Sequence, residues 1–380
     1  MNVLSLFDGM SCGRIALERA KIKVDHYFAC EIDKYASSVS QYNWNDVVPV
    51  GDVTKLHKFQ LGDVDIDLLI GGSPCQGFSY AQGGKELNFD DPRSFLFFEY
   101  VRLLKECKPK YFLLENVRMS QESEDIITKY LGVEPIAINS NLVSAQSRHR
   151  LYWTNIPFDG LPEDKEISLT DILEEGIEPQ GKLTNITDKE MSRDGMCQVG
   201  EAEEYAHYSY RSTKAVYSPL GKCPTLLTMQ GGNREPKVAV ENDKWRKLTV
   251  KEIERLQTVP DDYTKYGIFE AYCSALYPHV QSVPISNTQR KKMIGNGWTV
   301  DVLTHIFGGL QSTKTTKSVK DISNDSQVSV LHSLAHHSAW HHEWPSDSPH
   351  DYLWESEELS GVSWTAWTVQ NTYVWPEEEL

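Results

Sequence analysis

The sequence predicts an α/β protein built on a Rossmann-like parallel sheet, with a second, smaller and irregular domain. Short apolar runs alternate with helical patterns over the first 155 residues, which is typical of βαβ units. The chain has 380 residues, 40% of them apolar, and such a length exceeds what one hydrophobic core normally organises. We therefore expect two domains, or one domain with a large insertion.

Five apolar runs supply the predicted strands. They are VLSLF (3–7), HYFAC (26–30), DLLIGG (67–72), YFLLEN (111–116) and RLYWTN (150–155). Residues 93–107 lie between two of these strands and repeat apolar side chains at helical spacing until Pro109 ends the pattern. This segment is predicted to be a crossover helix, and residues 1–156 are predicted to form the first domain.

The pattern changes after residue 156. Residues 157–245 are polar and rich in Gly, with scattered strand-like runs such as TLLTM (225–229), and predict a separate irregular domain. Helical patterning then returns in 246–310, where Thr249 is a credible N-cap with Glu252 three residues later. We expect the last part of this segment to pack back onto the sheet and complete the first domain.

Charge is distributed unevenly along the chain. The net charge is −16, but residues 311–380 carry 11 acidic residues against 3 Lys, and residues 207–255 carry 10 basic against 5 acidic. A partner with phosphates is therefore allowed if the basic segment faces it. The acidic, His- and Trp-rich tail (311–380) is expected to be accessory or disordered, since a polar linker precedes it and its His pairs have no Cys beside them.

Several functional classes are excluded by composition. The seven Cys residues lie far apart, without a CxxC pair, so neither a metal site nor a disulfide framework is expected. No apolar stretch is long enough to span a membrane, and the acidic Asp8 in the first ten residues argues against a signal peptide. We expect a soluble, intracellular protein.

Two acidic residues follow the first strands at positions suited to a nucleotide-bearing cofactor. The first strand runs into FDGMSCG (7–13) and a helix, so that a Gly turn brings backbone amides close to a ligand. Glu31 ends the second strand, where a carboxylate can accept ribose hydroxyls, and Asp52 could meet an adenine amino group. The alternative is that both acids only cap the helices that follow.

A nucleophile and an acid are predicted at the same edge of the sheet. Cys75 follows a Pro in GGSPCQGFS (71–79), at the C-terminal rim of a parallel strand where such sheets bind ligands. Glu115 closes the next strand and could act in proton transfer. In QSRHR, Arg148 and Arg150 alternate onto one face, so we expect both guanidiniums to point into one cleft and contact carboxylate, phosphate or base oxygens.

The motifs FDGMSCG, GGSPCQGFS, ENV, QSRHRLYW and IGNGWTV, in this order, resemble those of the DNA (cytosine-5) methyltransferases. The resemblance covers residues 1–310. FDGxxxG, GNGW and CPTLLTMQGGN before RLQTVPDDYT are most similar to the de novo type of eukaryotic enzyme, whereas the short recognition region also suits a bacterial or phage enzyme. The resemblance implies an S-adenosylmethionine-dependent methyltransferase sheet with a target-recognition domain at 157–245.

The resemblance also implies roles for individual residues. Cys75 would attack C6 of a cytosine flipped out of double-stranded DNA, Glu115 would protonate N3, and the two arginines would hold O2 and order the loop bearing Cys75. The cofactor S-adenosyl-L-methionine would be contacted by Phe7, Asp8, Gly9, Gly13, Glu31, Ile32, Asp52, Val53, Pro74, Leu96 and Asn296. Residues 79–88 would form the mobile loop that closes over DNA.

The recognition region offers side chains for DNA, and the resemblance leaves other readings open. The candidates are Tyr205, Tyr208, Tyr210, Arg211, Lys214, Lys222, Asn233 and Arg234, because Arg and Asn read base edges while Lys and Tyr more often touch phosphate. Alternatives are a transfer RNA cytosine-5 methyltransferase, a catalytically silent DNA-binding member, or a nicotinamide oxidoreductase, which would leave PCQ, ENV and QSRHR without a purpose. The enzyme is expected to be a monomer, with or without a restriction endonuclease partner, in the cytoplasm of a bacterium or phage-infected host, or in a nucleus if eukaryotic.

Overall fold

A computed structural model describes residues 1–74, 95–187, 190–272 and 278–311, with the backbone alone described at 270–272 and 278–281. The predicted nucleophile Cys75, the predicted closing loop (79–88) and the tail beyond residue 311 lie outside the described residues.

Seven of the described strands form one large sheet. They are β1 (Asn2–Leu6), β2 (His26–Cys30), β3 (Val47–Pro49), β4 (Leu68–Gly71), β5 (Tyr111–Val117), β6 (Ile136–Asn139) and β7 (His149–Thr154). Their order is β3-β2-β1-β4-β5-β7-β6, and the first five of these run parallel. The prediction of an α/β protein with a mostly parallel sheet is confirmed, and the five predicted strands are found with ends shifted by one residue at most.

The strand made by 149–154 does not follow the parallel direction that the βαβ pattern predicts. β7 runs antiparallel to both β5 and β6. Only a short connection, residues 140–148, joins β6 to β7, and a parallel crossover needs about a dozen residues or more. The reversal brings Arg150 opposite Val117, beside the end of β5.

Helices cover the sheet. The described helices are α1 (Cys12–Arg19), α2 (Lys34–Asn43), α3 (Phe95–Cys107), α4 (Gln121–Leu131), α5 (Arg211–Lys214), α6 (Val250–Leu256), α7 (Asn287–Asn296) and α8 (Val300–Gly308). The predicted crossover helix is α3, and Thr249 caps α6 in a reciprocal capping box with Glu252, as predicted. α8 packs against α1, which returns the C-terminal part of the described chain to the sheet. None of these helices is long and apolar enough to cross a bilayer.

The expected irregular region contains regular structure that the sequence did not reveal. Within the described part of 157–247, five short strands close into a barrel: β8 (Gly181–Thr184), β9 (Gln198–Ala202), β10 (Ala215–Tyr217), β11 (Lys237–Val240) and β12 (Lys244–Lys247). Its small core holds Ala202, Val216 and Trp245. The TLLTM run at 225–229 is not a strand, although it was predicted to be strand-like. A hairpin of β13 (Tyr266–Tyr272) and β14 (Pro278–Pro284) follows the barrel.

Candidate active site

Glu115 lies near the C-terminal end of β5, at the edge where the parallel strands end. Its Oε1 forms an ion pair with Nε of Arg150 at 2.9 Å, and its Oε2 accepts a hydrogen bond from the indole nitrogen of Trp298 at 3.0 Å. The side chain is 8% exposed, so it is largely shielded from water. A carboxylate offers about four acceptor positions, and from the described part of the chain the carboxyl has one hydrogen-bond donor, Trp298, and one ion-pair partner, Arg150. With respect to these residues, acceptor positions remain for a ligand.

The chain that leads to Cys75 leaves β4 directly beside this carboxylate. A Cβ added to Gly72 would lie 2.9 Å from Oε2 of Glu115, so only Gly fits there without a shift. The Asn116 side chain, 1% exposed, donates to the Ser73 hydroxyl at 3.1 Å. Asn116 therefore anchors the segment two residues before Cys75, which itself lies outside the described residues.

The two arginines of the QSRHR motif are used differently, against the expectation that both point into one cleft. Arg150 pairs with Glu115 and also donates to the carbonyl of His149. The Arg148 guanidinium instead donates to main-chain carbonyls, at 3.4 Å to Leu226, 3.5 Å to Gly295 and 3.0 Å to Gly297, and its side chain is buried. Gln146, on the same face, is also buried and bonds to Leu226 and to Leu256. Arg148 thus holds backbone segments together.

The turn between β1 and α1 has an unusual backbone. Phe7, Gly9 and Ser11 have φ of 56°, 62° and 61°, in the left-handed region that non-glycine residues rarely adopt. Such a conformation persists only where the surroundings enforce it, and it often marks a functional turn. Further on, a Cβ on Gly13 would come within 2.5 Å of Ile70, so glycine allows α1 to pack closely on the sheet.

Glu31 connects this turn to the end of β2. Its Oε2 accepts from the Gly9 amide at 2.7 Å, and its Oε1 accepts from the amides of Ile32 and Asp33 at 2.8 and 2.7 Å. Burial raises the pKa of the Glu31 carboxyl, although the amides of Asp33 and Gly9 oppose this. Three backbone donors leave about one acceptor position for a ribose hydroxyl rather than positions for both. The helix α2 is capped by Asp33 and not by Glu31.

Asp8 is buried beneath the same turn. It accepts from the hydroxyls of Ser11 and Tyr27, the latter at 2.7 Å, and its amide donates to the Cys30 carbonyl. Burial raises the pKa of the Asp8 carboxyl. The Asp8 side chain therefore stabilises the turn between β1 and α1 through these hydrogen bonds.

Asp52 lies in the segment after β3. Its Oδ1 accepts from the amide and hydroxyl of Thr54, both at 2.9 Å, within a turn rather than at the start of a helix. The next residue, Val53, is buried, and its carbonyl accepts from Arg102 on α3 at 3.0 Å. Arg102 thus fixes the position of the segment that carries Asp52.

The other predicted cofactor residues occupy varied surroundings. Ile32 is 80% exposed immediately after β2, which is unusual for a large apolar side chain at the end of a parallel strand. Pro74 and Leu96 are half-buried, and Asn296 is exposed at the last residue of α7. The structure thus places Gly9, Glu31, Ile32 and Asp52 after neighbouring strands of one sheet.

The basic segment 207–255 is less available to a partner than its charge indicates. Seven of its ten cations bond to carboxylates or main-chain carbonyls of this chain: Lys214, Lys222, Lys237, Arg246, Lys247, Lys251 and Arg255. The other three, Arg211, Arg234 and Lys244, are exposed. Lys214 and Lys222 are therefore weak candidates for DNA contact, and Tyr205 packs on Trp245 at the barrel.

Comparison with known proteins agrees with the geometry. The chain matches the family of C-5 cytosine-specific DNA methylases over residues 1–132 and 137–312, and it belongs to that family. The family that the sequence motifs resemble and the enzyme class that they imply, a DNA (cytosine-5) methyltransferase, are thereby confirmed.

Relatives with curated names are bacterial and phage enzymes. The type II methyltransferase M1.ScrFI of Lactococcus lactis subsp. cremoris is 28% identical over 324 residues, covering 79% of this chain and 75% of the relative. The orphan methyltransferase M.SPRI of Bacillus phage SPR is 36% identical over 193 residues, and the match covers 46% of this chain and 43% of that protein.

Among solved structures, the Entamoeba histolytica methyltransferase EhMeth aligns with a TM-score of 0.58 at 17% identity, over 82% of this chain and 99% of that one. An identity this low supports the fold alone.

Two residues of the site were not predicted as such. Trp298 appeared in the sequence only as part of the GNGW motif, and its contact with Glu115 spans 183 residues of chain. Asn116 follows Glu115 in the ENV motif, and the adjacent polar pair closing an apolar run is the signal that could have identified it.

Proposed function

We propose that this enzyme transfers a methyl group from S-adenosyl-L-methionine to C5 of cytosine in double-stranded DNA. One observation carries the proposal: the Glu115 carboxyl is held by Arg150 and Trp298 directly beside Gly72, three residues before Cys75. An acid at the start of the segment that leads to a Cys supports joint action on cytosine, because addition across the C5–C6 bond requires a proton donor and a nucleophile.

The residues after β1 and β2 fit the adenosyl part of the cofactor. Glu31 keeps an acceptor position beside the left-handed turn at Gly9, and the exposed Ile32 offers an apolar surface to a flat base. When bound, the cofactor supplies an electrophilic methyl group on a sulfonium centre. Carboxylates nearby favour a ligand that carries this positive charge.

The reaction would begin at Cys75. Its thiolate forms a bond to C6 while the Glu115 carboxyl gives a proton to N3, so the ring does not accumulate negative charge. C5 then carries enamine electron density and would take up the methyl group that the cofactor supplies. N3 returns its proton to Glu115, the C5 proton leaves to solvent, and the C6–S bond breaks to release the thiolate, which restores the aromatic base with no net change in the protein.

Arg150 would have two duties in this sequence. It orients Glu115 through the ion pair at Nε, and its guanidinium carries further donors that can hold the cytosine O2. The cytosine must first leave the duplex, and unstacking costs a few kcal/mol that the pocket contacts offset.

The barrel at 181–247 would contact the target DNA. This assigns catalysis and cofactor binding to 1–156, completed by 246–310, and target recognition to 157–245. The exposed Tyr208, Tyr210, Arg211 and Arg234 are suited to bases and phosphates, and all four lie in the barrel or its connections. The names of the relatives include both type II and orphan methyltransferases, so the names do not decide whether this enzyme has a cognate endonuclease. The presence of such a partner requires its own experiment.

The experiment is bisulfite sequencing of plasmid DNA from cells that express the protein. We expect cytosine methylation in one sequence context, and none with Cys75→Ala. Cys107→Ala is the matched control, because Cys107 is a buried thiol at the far end of α3 and should retain methylation. Methylation that persists in Cys75→Ala would refute the mechanism, and methylation of transfer RNA in place of plasmid DNA would refute the substrate.

Substrate DNA that contains 5-fluorocytosine supplies a second test in vitro. Fluorine cannot leave as a cation, so the elimination step fails and the enzyme stays bonded to C6. A denaturing gel should show a shifted band that requires both cofactor and Cys75. A band that forms equally with Cys75→Ala would contradict the covalent step.

A further inference from the structure

Trp298 lies in the turn between α7 and α8, far from Glu115 in the sequence, and its indole nitrogen reaches the Oε2 of that carboxyl at 3.0 Å. The side chain is 7% exposed. An indole nitrogen can only donate, so this bond has one direction and one acceptor.

The indole ring is wedged between two glycines of the site. A Cβ on Gly72 would lie 2.8 Å from the indole nitrogen, and a Cβ on Gly13 would lie 3.5 Å from Cζ3. One glycine begins the segment leading to Cys75, and the other is in the first turn of α1. The ring therefore packs between the turn after β1 and the end of β4, where it has little freedom to rotate.

The backbone before Trp298 is also fixed. The Gly297 carbonyl accepts from Arg148 and from Gln257, both at 3.0 Å, and Gln257 also donates to Ile294. All of these donors are on buried side chains. Arg148, predicted to face the substrate, instead holds the turn that presents Trp298.

We infer that Trp298 is a positioning residue that fixes the Glu115 carboxyl for methyl transfer. With Arg150 paired to Oε1 and Trp298 donating to Oε2, the carboxyl is held at both of its oxygens. This inference rests on the proposed function, because Glu115 must act on cytosine for its orientation to affect the rate.

The test is Trp298→Phe, which keeps an aromatic ring and removes the N–H. We expect kcat to fall about 10- to 100-fold, the range for a lost hydrogen bond to a charged group, while KM for cofactor and DNA changes less than about threefold. Trp153→Phe is the matched control. Trp153 is on β7 of the large sheet, and its buried indole donates to the Thr128 hydroxyl on α4 at 3.0 Å. The variant should lose stability but not turnover.

A double-mutant cycle separates positioning from general support of the fold. In a Glu115→Gln background, Trp298→Phe should slow single-turnover methyl transfer by less than about threefold, because the group it orients no longer acts. An equal loss in both backgrounds would overturn the inference. So would an unchanged kcat in Trp298→Phe alone.

An NMR measurement tests the contact without relying on activity. The indole resonance of Trp298, identified as the one missing from Trp298→Phe, should shift in Glu115→Ala and stay in place in Glu31→Ala. A resonance that does not respond to Glu115→Ala refutes the inference. An unaltered enzyme that methylates no cytosine would refute the proposed function instead, so the two failures are distinguishable.

Discussion

Two buried carboxylates paired with arginine, Glu115 and Glu252, lie in contrasting surroundings in this protein. Glu115, on the large sheet, pairs with Arg150 and accepts a hydrogen bond from Trp298. Glu252, on α6, accepts from both terminal nitrogens of Arg246 at 2.6 and 2.8 Å, and from the amides of Glu174 and Thr249. Burial and an arginine partner are common to both.

The difference lies in the acceptor capacity that remains. The four donors on Glu252 fill its acceptor positions, and the residue is 0% exposed, so nothing else can bind there. From the described residues, Glu115 has one hydrogen-bond donor and one ion-pair partner, so acceptor positions remain, and it lies beside a glycine and the segment leading to Cys75. A buried ion pair by itself therefore does not identify an active site; open acceptor positions at the edge of the sheet are what favour Glu115 as the candidate.

The largest expected effect comes from Glu115→Gln. The amide cannot deliver a proton to N3, so we expect kcat to fall ~10²–10⁴-fold, the usual contribution of a general acid. The dissociation constant for S-adenosylmethionine, measured by calorimetry, should change less than about threefold, since binding uses other residues. A rate loss below about tenfold would assign the proton donor to another group.

Glu252→Ala should act on stability instead. Removing one partner of a buried pair leaves the Arg246 charge uncompensated, which typically costs about 3–5 kcal/mol in the free energy of unfolding. Urea denaturation measures this, and turnover per folded molecule should stay within about threefold of the unaltered enzyme.

The matched control for this prediction is Asp261→Ala, which breaks the Arg255–Asp261 pair. These side chains are 30% and 44% exposed, so the expected loss is at most ~1 kcal/mol. Equal losses for Glu252→Ala and Asp261→Ala would contradict the structural role assigned to the Arg246–Glu252 pair.

The sequence predicted what local patterns encode. Apolar runs marked five strands of the large sheet, and a Thr followed by a Glu marked the start of α6. The cluster around Glu115 could be placed because parallel strands end at one edge. The pairing of Arg150 with Glu115 followed from an unpredicted feature, the antiparallel direction of β7.

Features set by distant parts of the chain could not be read from the sequence. The barrel strands have three to five residues each, too few for an alternating pattern to stand out in a polar segment. Arg148 and Arg150 lie on either side of His149, and nothing in the local sequence distinguishes them. Arg148 donates to main-chain carbonyls because the end of α7 packs beside it. The Trp298 contact depends on the whole fold between 115 and 298.

Asp8 is a third kind of buried carboxyl, because its hydrogen bonds come from the neutral hydroxyls of Ser11 and Tyr27. Burial raises its pKa above the usual value. Above the unfolded pKa, the folded protein therefore keeps a proton on Asp8 that the unfolded chain has released. The contribution of this proton to the free energy of unfolding is lost as pH rises through the folded pKa. In Asp8→Asn this loss is absent, so the variant should gain stability relative to the unaltered protein as pH rises.

Urea denaturation between about pH 4.5 and 7.5 measures that difference, which we expect to be the smallest of these effects. Asp261→Asn is the control with the opposite shift. The hydrogen bond from its partner Arg255 lowers the pKa of Asp261, so the contribution of Asp261 to stability is complete above the unfolded pKa and is lost only as pH falls below it. The Asp261→Asn difference should stay flat across the range. A flat Asp8→Asn difference, or one that falls as pH rises, would show that the hydroxyl donors offset the burial of Asp8 and that a carboxylate here needs no cation.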